Sequence, residues 1–159
     1  MTAPDRVARG VFALLVIASF AAFFVTQRLK HTPTAVQLFM LTPFFSPTPS
    51  GHIKQERISF RLAKGDDVTV SIVDSSGAEV ATLVRDRPLG RYKQFSLRWN
   101  GRRGRAHRFT VLITRSGHVS IEPANHGRVA PAGEYRVRVS LRRAHRSVLS
   151  PRSFTLVRR

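Results

Sequence analysis

The chain has 159 residues, room for one domain of ordinary size and a segment or two besides. It carries 27 Lys and Arg against 9 Asp and Glu, a formal net charge of +18, with lysine only at Lys30, Lys54, Lys64 and Lys93. It has no Cys, which excludes disulfides and Cys-based zinc sites. So positive a field attracts anionic surfaces (nucleic acid, phospholipid or cell-wall polymer) or simply keeps the chain soluble.

Between Arg9 and Arg28 stand eighteen uncharged residues, GVFALLVIASFAAFFVTQ. A helix of that length is close to the hydrocarbon thickness of a bilayer, and no polar stripe marks one side of it. The sequence therefore predicts a transmembrane helix over 10–27, after a short tail over 1–9 and before a linker over 28–33. A cleaved signal peptide, which would leave a secreted soluble domain, is the rival. It wants small residues at its end, where Phe23, Phe24 and Val25 stand. Arg6 and Arg9 on one flank nearly balance Arg28 and Lys30 on the other, and the α-amine tips the N-terminus towards the cytoplasm.

From Thr34 to the end the pattern is short strands and turns. AVQLFML is a first strand. TPFFSPTPSGH is a loop punctuated by Pro43, Pro47, Pro49 and Gly51. RISFRLA alternates with Ile58, Phe60 and Leu62 on one face, and DDVTVSIVD with Val68, Val70 and Ile72. SSG turns into AEVATLV. GRYKQFSLRWNG puts Phe95, Leu97 and Trp99, the only Trp, on one face. RFTVLI and HVSIEP pair around TRSG as an extra hairpin, inside an insert over about 102–130. GEYRVRVSL puts Tyr135, Val137, Val139 and Leu141 on one face and Arg136 and Arg138 on the other. RSFTLVRR closes the chain. Seven to nine such strands, with no amphipathic helix, predict an all-β fold: an immunoglobulin-like or fibronectin-like antiparallel β-sandwich over 34–159.

FFSPTPSG, ISFRL, VTVSIVDSSGAEVATLV, LRWNG and PAGEYRVRV, in that order, resemble the FlgD-type immunoglobulin-like module of bacterial envelope and secreted proteins. The likeness covers Phe44 to about Leu156. It implies a binding or assembly module on the far side of the membrane. The chain departs from the pattern in its opening loop, where His52 and Lys54 follow FSPTPSG in place of acids. That speaks against oxygen-rich cation coordination there. Trp99-Asn100-Gly101 replaces a Trp-Asp-Gly turn, and the insert replaces a short loop. No hook-capping region is present to carry that role across.

Nothing in the sequence spells a reaction. The six histidines, His31, His52, His107, His118, His126 and His145, lack metal-site spacing. Asp66-Asp67 reads as a turn before a strand. There is no nucleophile elbow and no phosphate-cradling loop. A non-enzyme with no cofactor and no metal is expected. Trp99 and Tyr135 read as structural, the latter through a hydroxyl tied to a neighbouring loop, and Phe60, Val70, Ile72, Leu97, Val137 and Val139 as core. The candidate contacts to an anionic partner are Arg102, Arg103, Arg105 and Arg108 in GRRGRAHR and Arg142, Arg143 and Arg146 in LRRAHR. Adjacent loops are expected to bring both clusters to one end of the domain. The expected protein is a single-pass, membrane-anchored, extracytoplasmic binding module, meeting anionic envelope polymer or lipid headgroups. The alternative is a cytoplasm-facing tethered domain that binds nucleic acid or anionic lipid. The lack of aromatic residues in either cluster disfavours nucleic acid.

Overall fold

The computed structural model describes residues 3–30, 34–113 and 119–158. It divides into two compact units, Met1–Thr34 and Ala35–Arg159. The first is one helix, α1 (Ala3–Lys30). It outruns the predicted 10–27 at both ends, because propagating a formed helix needs only one new hydrogen bond per residue. Pro4 sits in the first turn, where its missing N–H is no loss. Ser19 and Thr26 return their hydroxyls to the carbonyls of Leu15 and Ala22 at 2.9 and 2.7 Å, so these polar groups are satisfied inside the helix. Phe12, Leu14, Leu15, Ile17 and Phe20 are each 60–70% exposed. At about 100° per residue they point to every side of the helix. The unbroken run of described side chains covers 10–26, and among the described residues no helix is long and apolar enough to cross a membrane. A helix thus stands where the sequence predicts a transmembrane one.

The second unit is all β. Its strands are β1 (Val36–Leu41), β2 (Phe44–Phe45), β3 (Glu56–Leu62), β4 (Asp66–Asp74), β5 (Glu79–Leu89), β6 (Gln94–Trp99), β7 (Gly104–Arg105), β8 (Phe109–Ile113), β9 (Val119–Pro123), β10 (Gly133–Leu141), β11 (Arg146–Leu149) and β12 (Phe154–Leu156). One sheet has the order β1-β3-β6-β9-β8; the other runs β2-β12-β10-β4-β5-β7, with β11 also paired to β10. Both sheets are mixed, which corrects the purely antiparallel expectation: β2 runs parallel to β12, β7 to β5 and β9 to β6. The extra strands include β2 and β7, whose two residues are too few to show any periodicity. The parallel pairing of β9 arises because the chain crosses between sheets after β7. The β8–β9 hairpin, held together by five registered pairs, then joins β6 through two pairs of β9. Its turn residues, Arg115, Ser116 and Gly117, lie outside the described residues.

Alternation sets which residues enter the core, since successive strand side chains point to opposite faces. Phe60, Leu97 and Trp99 from one sheet join Val70, Ile72, Val137, Val139, Phe154 and Leu156 from the other in one buried cluster, all at most 1% exposed. The Trp99 ring lies 5.6 Å from Phe45, 5.8 Å from Tyr135 and 6.0 Å from Phe154, centroid to centroid, within the range of favourable aromatic pairs.

Candidate functional site

The first basic cluster leaves β6 at the Trp99-Asn100-Gly101 turn. Asn100 Oδ1 accepts the Arg102 N–H at 3.0 Å, and Gly101 takes φ +77°. A Cβ on Gly101 would stand 3.3 Å from the buried Phe45 ring and 3.1 Å from Pro47, so both space and φ select glycine. The buried indole then holds the turn from below, donating from Nε1 to the Arg102 carbonyl at 2.9 Å. Beyond it the Arg103 N–H donates to the Arg128 carbonyl (2.9 Å) and the Ala106 N–H to the Thr82 carbonyl (3.0 Å). Buried Asn125 ties the segment to β5, its amide donating to the carbonyls of Gly104 (2.6 Å) and Thr82 (3.3 Å). The backbone from Arg102 to Arg108 is therefore pinned, while Arg102, Arg103, Arg105 and Arg108 are exposed. Among the described residues none of the four forms an ion pair.

The second cluster is the connection from β10 to β11. Asp66, 6% exposed, accepts the N–H groups of Asp67, Arg143 and Ala144 at 2.7, 2.8 and 3.0 Å. Asp67 accepts two bonds from the Arg143 guanidinium, at 3.1 and 3.2 Å. Arg142 stands 4.0 Å from Asp86. Asp66-Asp67 therefore opens β4 and holds this loop in place, which corrects the reading of the pair as a turn. Arg143 is already neutralised, and Arg142 partly so; Arg146 is exposed.

The two clusters do not share one end. Arg142 follows Leu141, the partner of Val68 near the start of β4. Gly104 and Arg105 pair with Ala81 and Thr82, which sit opposite Ile72 and Ser71. Strand β7 is also three positions from β10, about 14 Å across the sheet. The expectation fails because the first cluster docks along β5 through β7.

Tyr135 Oη donates to the Pro131 carbonyl at 2.7 Å. His52, His107, His126 and His145 are exposed; His31 and His118 lie outside the described residues. Among the described residues no group of three or more His, Asp or Glu is placed to hold a metal ion. The opening loop closes on itself through the Ser46 N–H to the Ile53 carbonyl (2.8 Å) and the Ser46 and Thr48 hydroxyls (2.8 Å).

Two features escaped the sequence reading. Glu56 is fully buried opposite Trp99; its Oε1 accepts the Thr42 N–H at 2.7 Å and its Oε2 has no partner. Burial pushes its carboxyl up to about 8, against the smaller opposing pull of the Thr42 bond. The signal was an acid in phase with Ile58 and Phe60. The second feature is Arg57 and Arg98, directly opposite each other on β3 and β6; nothing local announces a cross-strand pair. No protein-family model matches the chain, and no curated protein matches it significantly.

Proposed function

We propose that this chain is a membrane-anchored, non-catalytic binding or assembly module. In this reading α1 crosses the bilayer once with its N-terminus in the cytoplasm. The β unit, a FlgD-type immunoglobulin-like sandwich by its motifs, stands outside and meets anionic envelope polymer or lipid headgroups. The observation that carries the reading is α1: its described side chains over 10–26 are exposed, the Ser19 and Thr26 hydroxyls bond within it, and the sequence is uncharged from Gly10 to Gln27. Water disfavours such a surface, whereas lipid accepts it once the backbone is internally bonded. The exposed arginines of the first cluster, none of them ion-paired among the described residues, add the anion-facing surface, as planar forks suited to phosphate and carboxylate.

The test replaces Leu15 and Ile17 with Arg, each costing about 2.5–3.5 kcal/mol at a helix centre on the insertion scale. Loss of the chain from the integral-membrane fraction is expected, and retention would sink the anchor. A reporter fused after Arg159 should be active only outside the cytoplasm. Activity inside would instead favour the cytoplasm-facing alternative. Changing Arg102, Arg103, Arg105 and Arg108 to Ser should weaken salt-sensitive binding to anionic vesicles or wall polymer without unfolding the domain.

A further inference from the structure

On the outward face of the five-stranded sheet, Arg57 and Arg98 are direct partners in the antiparallel β3–β6 register. Such partners hold their Cβ atoms about 5 Å apart, and like charges so placed destabilise a sheet. Among the described residues neither guanidinium makes an ion pair. Glu122, on the next strand, accepts a hydrogen bond from the Gln55 amide. The two arginines line a depression of about 570 Å³ with His52, Lys54, Gln55 and Thr42, and a second of about 340 Å³ with Ser59, Ser96 and Ser120. No carboxylate lines either one.

We infer that the Arg57–Arg98 pair, with Lys54, forms a binding site for a phosphate group. Two cationic forks and an ammonium line one depression, whose other polar lining is Thr42, His52 and Gln55. A carboxylate has two oxygens and is filled by one fork, whereas a phosphate offers a third oxygen and a second charge to the other fork. A bound dianion turns the like-charge pair into two favourable contacts. The opening loop adds His52 and Lys54 and no acid between Ser46 and Gln55, so the sign of the loop matches this ligand. The inference goes beyond the preceding reading and uses different residues.

The experiment uses the full chain in a phosphate-free maltoside detergent. Unfolding is followed with added inorganic phosphate and, at equal ionic strength, with chloride. Phosphate should raise Tm where chloride does not, because a ligand that binds only the folded state stabilises it. Arg57→Gln with Arg98→Gln should abolish that gain and should not lower Tm in chloride, since relief of like-charge repulsion offsets any lost contact. Arg98→Lys keeps the charge and loses the fork, and should weaken phosphate binding by about tenfold even if the double variant folds poorly. Changing the four arginines of the first cluster should leave the phosphate gain intact, which separates this site from the basic edge. Vesicles carrying phosphatidic acid identify the source. Binding to them without a response to inorganic phosphate assigns a lipid headgroup, and a response to both assigns the phosphate group whatever carries it. Equal shifts in phosphate and chloride with no preference for phosphatidic acid over neutral vesicles, or a gain that survives in the double variant, would overturn the inference.

Discussion

Arg105-Ala106-His107-Arg108 and Arg143-Ala144-His145-Arg146 are the same four residues in two settings. In the first copy the backbone is fastened to β5 and the guanidinium groups are left to solvent. In the second, Asp66 gathers the loop's N–H groups and Asp67 takes the Arg143 fork. His145, at φ +47°, completes the turn by donating its N–H to the Arg142 carbonyl at 3.3 Å. The difference lies in the neighbours, not in the motif. A basic tetrapeptide is a free anion-facing surface only where no acid of the fold has already claimed it.

The comparison breaks most completely at Trp99, which holds the turn into the first copy. Trp99→Ala should cost roughly 3–5 kcal/mol, a transfer loss plus a cavity. It should also speed amide exchange from Arg102 to Ala106 more than from Arg142 to Arg146. Denaturant unfolding and hydrogen exchange give the two readings, and a loss under about 1 kcal/mol would contradict the buried anchor.

Glu56, opposite Trp99, makes the same side of the molecule sensitive to pH. Its carboxyl rises from an ordinary value of 4.5 to about 8 in the fold, so between these values the folded chain keeps a proton that the unfolded chain has lost. This contribution is fully present below about pH 4.5, falls as pH rises towards 8 and levels off beyond, a few kcal/mol in all. Glu56→Gln, which mimics the protonated acid, should flatten that slope and make the variant the more stable protein at pH 8. An unchanged slope would place the titration elsewhere.

The second copy should respond to its acids in graded fashion. Asp66→Ala removes three accepting contacts to part-buried N–H groups, and should cost about 1–3 kcal/mol. Asp67→Ala breaks only a largely exposed ion pair and should cost under about 1 kcal/mol. It also frees Arg143, so the second copy should gain affinity for anionic vesicles and come to resemble the first. Equal costs for the two substitutions would show that Asp66 does not hold the loop.

Much of this architecture is written in local pattern. Period-two alternation placed Phe60, Val70, Ile72, Leu97, Val137 and Val139 on inward faces, because Cβ atoms alternate along any strand whatever lies beside it. The same rule put Arg136 and Arg138 outward and Glu56 inward, although an acid in a core phase is easily passed over. The helix around 10–27 and the β8–β9 hairpin were equally legible, one from a long uncharged run and the other from two apolar runs around a Gly-containing turn. Strand neighbours are a different kind of information. Whether Arg57 lies beside Arg98, whether Asp66 receives the 142–145 loop, and whether β7 docks on β5 depend on residues tens of positions apart, and no local period encodes them. The two-residue strands β2 and β7 exist only because a partner edge offers free N–H and C=O groups. By itself the sequence determined which face each strand shows to water. The tertiary structure alone decided which charges stand together on that face, because register is set by packing two sheets around one core.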